Sequence, residues 1–489
     1  MNTNLLKAIF ATIVAILGSL FLITEAISTN NPMSLVIRSM GMLLGVVCLL
    51  NPKAGLWIVT IEAFYVDYVK KVAVYYGEVS MSTITDVMVI VMIALVATCL
   101  GRLLQLLLKT GKPASRPEIM LYLLGAFIAA AVFFSKRDFG FASAVQQAFN
   151  TGVYIAIAGL IVGLFESRKE LLYFLGGQTF FAVTWAIMGI KQTVWGFSPM
   201  EYFYAETGLS PVSSNQFLSE SYGERPRASG FGSGASNYAL IVYYCMFSLW
   251  AAVRLKSKRL IYLCGFAILF TAALLSKGKT LVALCLLGPV WYTFLRTRRG
   301  TQFAYTGGIT VVLLVILFSD QILLILPEFS GWFLAVTGLP DIYSLQTFSP
   351  RLTGYMQLKD PANWSLLPNP ELGGHDSITG TLARFGVIGL VAFFAFGFIG
   401  IKLLHAAMRS VRDAQDRDLA VCLGSFAVLF AIVGSMIGGV FESQPNGLAI
   451  WTFVGGVFLL AQLSQKQIST EVTSTESPKP LNQPLTPVG

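Results

Sequence analysis

The chain has 489 residues, of which 55% are hydrophobic and only 12% charged, with a formal net charge of +9 and a mean hydropathy of +0.69. A soluble domain carries about twice that charged fraction, so the composition excludes one. The apolar residues come in continuous runs of about 16–27, enough to cross ~30 Å of hydrocarbon as helices, and their lack of alternation excludes a β-barrel. The positive charge reads as loop cations that hold a membrane topology, not as a nucleic-acid surface.

Taken in chain order, the runs predict helices over 5–26, 35–50, 54–66, 84–108, 119–134, 145–165 and 171–194. A polar stretch, about 195–236, follows. Further helices are predicted over 237–253, 260–275, 281–295 and 303–326, then a second polar stretch over about 327–377, then helices over 378–404, 419–440 and 448–463. The expected fold is therefore all-α: a polytopic integral membrane protein with about fourteen transmembrane helices. The run 54–66 is the least regular, because it contains Glu62 and leads into Asp67. The first run lacks a small-residue cleavage site and reads as a retained span rather than a signal peptide.

Orientation follows from the cations. Arg102, Lys109, Lys112 and Arg116 share one short loop, Arg168 and Lys169 a second, and Arg254, Lys256, Lys258 and Arg259 a third. Arg296, Arg298 and Arg299 occupy a fourth, and Arg409, Arg412 and Arg417 a fifth. Counting helices puts all of these on one side, which the positive-inside rule makes cytoplasmic. Both termini then lie in the cytoplasm, and both long polar stretches, expected to carry short helices, lie on the outer side. Residues 1–464 form the transmembrane domain, and the Ser/Thr/Pro-rich residues 465–489 read as a disordered cytoplasmic tail. All six cysteines fall in apolar runs, which predicts neither disulfides nor a thiolate metal site.

The outer face should be poor in cations, so its exceptions carry information. Arg225 and Arg227 precede a Gly-rich stretch (Gly230, Gly232, Gly234) that leads into a helix start with Ser236 or Asn237 as cap. Lys277 and Lys279 fill a very short outer turn, Arg351 lies in the second polar stretch, and Arg384 in the outer third of a helix. Three cationic clusters on one face point to an anion site more than to cations snorkelling toward headgroups. A Gly-rich turn feeding a helix N-terminus suits phosphate. Of the two histidines, His405 reads as a solvated residue on the cytoplasmic rim. His375 reads either as a proton acceptor or as a residue near a helix start beside the cap candidates Asp376 and Ser377. No P-loop, no HExxH and no D-x-D pair among the outer acids is present, and two distant histidines make no His-rich metal site. No cofactor is expected.

These segments resemble the O-antigen ligase and O-antigen polymerase family of bacterial envelope glycosyltransferases. The likeness spans about 222–404 and rests on RASGFGSGASNYA, LLSKGKTLVAL, SPRLTGY and GGHDSITGTLARFGVIGLVAFF. The last looks like the family's H-N-x-x-L followed by G-x-x-G. The chain departs from the pattern at Lys279, where the family has Arg, at Asp376, where it has Asn, and at Arg384, where it often has an acid. The resemblance implies metal-independent transfer or polymerisation of glycan from an undecaprenyl-diphosphate-linked oligosaccharide to a hydroxyl of a glycan or lipid-linked acceptor. The site would face the periplasm from the inner membrane, in surface polysaccharide synthesis. Arg227, Lys279 and Arg351 would bind the diphosphate, with Arg225 and Lys277 beside them. His375 would take the acceptor's proton, with Asp376 orienting it or capping the helix. The rival from another class is a lipid-linked glycan flippase. Transporters often carry internal repeats or broken helices, and the sequence gives evidence of neither.

Overall fold

The computed structural model describes residues 32–77, 81–136, 141–207, 228–232, 237–276, 279–322, 324–325, 354–366, 377–437 and 446–475. Among these residues helix is the only regular secondary structure, with turns and irregular links between helices and no strand. The long helices are α1 (Pro32–Leu50), α2 (Pro52–Tyr76), α3 (Met81–Leu107), α4 (Arg116–Lys136), α5 (Phe141–Leu164) and α6 (Arg168–Trp195). The short α7 (Pro199–Glu206) follows. Then come α8 (Leu240–Arg254), α9 (Arg259–Leu275), α10 (Lys279–Leu295), α11 (Arg298–Leu317), α12 (Ser377–Ser410), α13 (Ala414–Ile437) and α14 (Asn446–Thr475). Six helices among the described residues are long and apolar enough to cross a membrane, and four shorter ones are apolar as well. The predicted span 5–26 lies outside the described residues.

Apolar side chains divide these helices into an inner and an outer set. In α8 every residue from Leu240 to Ser248 is buried, with Tyr243, Tyr244 and Phe247 fully enclosed. A helix that is apolar all round belongs inside. The apolar stretch of α14 is 72% buried, whereas that of α12 is only 11% buried. On α12, Ile388, Val391, Phe394, Phe396, Phe398 and Ile399 are exposed. An apolar face of that extent requires a nonaqueous neighbour, which a bilayer supplies. Hairpin neighbours pack along their lengths, α4 with α5 and α8 with α9, and α5 and α13 both pack on α14.

Ion pairs tie one end of the bundle together. Lys53 Nζ reaches Glu170 at 3.0 Å, and Arg168 pairs with Asp416 at 3.0 Å. Asp418 is the hub. It accepts from Trp250 Nε1 at 3.0 Å and Tyr292 Oη at 2.6 Å, and it pairs with Arg254 at 2.7 Å and Arg296 at 3.4 Å. Lys112 Nζ donates to the carbonyls of Val162 and Phe165. Members of all five cationic loops thus meet at this cation-rich end, since Arg417 folds back on the Val411 carbonyl between α12 and α13. Strict up-and-down alternation then puts the start of α8, the end of α9, the start of α10 and the start of α12 at the opposite, far end.

Lys112 gives this end a pH dependence. Burial, reinforced by the Lys466 ammonium, pushes its pKa down to about 8 from 10.5. The folded chain therefore releases this proton at lower pH than the unfolded chain does. Between these two values the unfolded state binds more protons, so stability rises with pH across that window. Unfolding midpoints in detergent, recorded from pH 7 upward, should climb more steeply for the parent than for Lys112→Met, and parallel profiles would refute the assignment.

Several helices differ from their predicted extents. α2 does not stop at Val66 but continues to Tyr76, because Asp67, Lys70 and Lys71 are buried and paired rather than solvated. α14 continues past Leu463 to Thr475, into the stretch expected to be a disordered tail. His405 is not solvated: its Nε2 lies 2.6 Å from the Tyr305 hydroxyl, and the two rings meet edge to face. α12 is broken at Gly386, where φ is 65° and ψ is −167°. A single glycine inside a long apolar run leaves no trace in hydropathy, so the break was not visible as one.

Candidate functional site

The described part of the far end holds a buried polar cluster around the residues that immediately follow Arg227. Within Ala228–Gly232, residues Ser229 to Gly232 form a tight turn in which Gly232 N donates to Ser229 O at 3.0 Å. Gly230 sits at its second position with φ of +60°, a conformation that costs glycine nothing and other residues dearly. A Cβ there would also lie 2.9 Å from the Trp185 ring. Phe231 is cradled by Tyr65, Tyr68 and Trp185, with ring centroids 5.2, 5.1 and 6.1 Å away. Trp185 is itself fixed by its indole N–H, which donates to Phe64 O at 2.8 Å.

Gln192, in the last turn of α6, grips this turn. Its Oε1 accepts from Ser229 N and Gly230 N, each at 2.9 Å. Its Nε2 donates to Gly230 O at 2.7 Å and to Glu201 Oε1. Glu201 is held by a capping box: Ser198 N and Ser198 Oγ donate to its other oxygen at 2.7 and 2.9 Å. Lys191 Nζ stands 3.8 Å from the same carboxylate. From the opposite side, Lys71 Nζ of α2 donates to Gly232 O at 2.9 Å, and the adjacent Lys70 pairs with Asp67 at 2.6 Å. Lys71 is completely buried, and Gln192, Glu201 and Ser229 are each 1% exposed. The Gln192 amide is fully hydrogen-bonded, and a satisfied buried polar group rigidifies what it holds; the Ser229 hydroxyl is buried without a hydrogen-bond partner.

The second polar stretch is tied to the same end through α12. Tyr355 and Leu358 pack against Ile378, Leu382, Ala383 and Leu390 in a small core of their own. At the Gly386 break, Val387 N turns away from the helix ladder and donates to Ser365 O at 2.9 Å. The break falls on the first glycine of the sequence Gly386–Val387–Ile388–Gly389.

The predicted site residues Arg225, Arg227, Lys277, Arg351, His375 and Asp376 lie outside the described residues. Lys279 is the first residue of α10, and its side chain lies outside the described residues too. What the cluster adds is a set of residues that sequence reasoning did not select: Lys71, Gln192 and Glu201. Two signals could have found them. Ser198–Pro199–Met200–Glu201 is a capping-box pattern that starts a helix inside the first polar stretch, and Lys70–Lys71 on an outer helix end breaks the same charge rule that drew attention to Arg225. Among the described residues no group of three or more His, Cys, Asp or Glu side chains could hold a metal ion. Comparison with protein-family models, with curated proteins and with solved structures produced no match in any of the three.

Proposed function

We propose that the protein is a multi-pass glycosyltransferase of the inner membrane. It transfers or polymerises glycan from an undecaprenyl-diphosphate-linked donor onto a hydroxyl acceptor at the periplasmic face, without a metal. The observation that carries this reading is the clamped turn at Ser229–Gly232. A buried network of three helices is spent on holding a short loop whose preceding residues are Arg225 and Arg227. A rigid turn two residues after Arg227 restricts the backbone that carries this cation, and a diphosphate leaving group calls for such restriction, because preorganised charge lowers a barrier and mobile charge does not. Two further supports come from the same end of the bundle: α10 begins there at Lys279, and the stretch leading to His375 docks there on α12. In this reading Arg227, Lys279 and Arg351 take up the charge developing on the diphosphate, with Arg225 and Lys277 beside them. His375 accepts the acceptor's hydroxyl proton, and Asp376 orients the imidazole.

The test is reconstitution with a defined undecaprenyl diphosphate oligosaccharide and analysis of product length. His375→Ala and Arg227→Ala should each lower transfer by at least about a hundredfold while the protein stays monodisperse. Undiminished product from both variants would remove the proposed roles.

A flippase is the second reading, and two observations favour it. Glu62, midway along α2, has both carboxylate oxygens buried without a hydrogen-bond partner, and ionisable groups at such depth mark transport pathways. The Gly386 break in α12 is a second transporter trait. In the same liposomes a flippase would move the donor between leaflets and leave its glycan length unchanged.

A further inference from the structure

We infer that Gln192 is a positioning residue for the transfer reaction, acting through the Ser229–Gly232 turn; this rests on the function proposed above. The carboxamide of Gln192 forms four hydrogen bonds, two as acceptor from Ser229 N and Gly230 N and two as donor to Gly230 O and Glu201 Oε1. That is the normal capacity of an amide side chain. No other side chain of that size can do this. A carboxylate would lack both donors and would face Glu201 charge to charge, and a leucine would leave two backbone N–H groups of the turn without partners in a dry site. The amide also lies in the last turn of α6, where Gly196 N donates to Gln192 O, so the grip is anchored in a long helix rather than a loop. Glu201 then joins α7 to the same amide, and Lys71 joins α2 to the end of the turn. The consecutive helices α6 and α7, together with the distant α2, thus fix a turn that begins two residues after Arg227. Consecutive Cα atoms are about 3.8 Å apart, so the chain can place residue 227 no farther than about 7.6 Å from the clamped Ser229. Misplacement of about 1 Å can cost on the order of a hundredfold in rate.

The experiment has two arms on the full-length, detergent-purified protein. In the first, hydrogen exchange followed by mass spectrometry reads the amides of residues 228–232. Those of Ser229 and Gly230 should be protected in the parent and lose protection in both Gln192→Leu and the near-isosteric Gln192→Glu. In the second arm, transfer from a defined undecaprenyl diphosphate oligosaccharide is measured at saturating donor. The turnover of Gln192→Glu should fall about ten- to a hundredfold at pH 7.5. It should recover several-fold relative to the parent toward pH 5.5, as the two facing carboxyls come to share a proton and one donor is restored. Gln192→Leu should show no such recovery. Protection that persists in both variants overturns the clamp, and lost protection with parental turnover overturns the positioning role. If the parent itself transfers nothing, the proposed reaction falls, and the exchange arm still decides whether Gln192 holds the turn.

Discussion

Glu118→Ala is expected to be the most damaging single change at the cation-rich end, costing about 3–5 kcal/mol. Glu118 lies in the first turn of α4 and receives two parallel hydrogen bonds from Arg102, Nε to Oε1 at 2.8 Å and Nη2 to Oε2 at 3.0 Å. Both side chains are 1% exposed. Gly163 of α5 makes the burial possible, since a Cβ there would stand 2.1 Å from the carboxylate. Removing the carboxylate leaves a buried guanidinium charge without its partner. Replacing both partners by apolar residues is a different matter, because the desolvation cost of both charges disappears with them. Arg102→Met combined with Glu118→Leu should therefore recover much of the loss. Unfolding of the purified protein in mixed detergent micelles, followed by circular dichroism, separates the cases. If the single and the double variant lose the same amount, and that amount is below about 1 kcal/mol, the pair is not the buried fork described above.

The same pair shows what sequence could and could not reveal. The helices were legible because apolar runs of spanning length have few alternative structures, and the predicted starts and ends fall close to those of α1, α3, α6 and α9. The grouping of cationic loops was legible too, because charge asymmetry and helix alternation are independent signals that agree. What was not legible is which cations merely face water. Arg102 was counted among the loop cations, yet it is buried against Glu118, a residue sixteen positions along the chain. Hydropathy likewise ended the third run at Val66, because Asp67, Lys70 and Lys71 lower the local average. It could not register that these charges find partners in one another and in the Gly232 carbonyl. The grip of Gln192 on Ser229 and Gly230 joins residues separated by 37 and 38 positions, and no local pattern encodes such a contact. The candidate cations and His375 were selected by charge and by resemblance, and the described residues reach only up to their neighbours: Ala228 beside Arg227, the α10 backbone at Lys279, and Ser377 beside Asp376.

Gly386→Ala is expected to disconnect the second polar stretch from the membrane helix. The backbone at Gly386 has φ of 65° and ψ of −167°, a region that is essentially glycine-only and costs about 1–3 kcal/mol for other residues. Sterics add to this, because a Cβ would lie 2.3 Å from the Leu366 carbonyl oxygen and 2.6 Å from its carbon. Both are backbone atoms that cannot rotate away. Two escapes exist. Either the 365–366 segment lifts off, or α12 becomes continuous, which alanine favours by about 0.5–1 kcal/mol over glycine in a helix interior. A continuous α12 would pair the Val387 N–H within the helix and release Ser365. Both escapes therefore predict the loss of one contact, Val387 N to Ser365 O at 2.9 Å. Cysteines introduced at 365 and 387 should cross-link readily in the parent background and lose most of that reactivity when Gly386→Ala is added. Gly397 is the matched control, since it lies in the same helix with nothing within 4 Å of an added Cβ. Gly397→Ala should leave the cross-link intact and stability equal or slightly improved. Because the segment tied down at Ser365 continues to His375, the alanine at 386 should also lower glycan transfer, by about tenfold or more, without altering the exchange protection of the Ser229–Gly232 turn. Equal behaviour of the two alanine variants would mean that the break at Gly386 does not anchor the stretch before it.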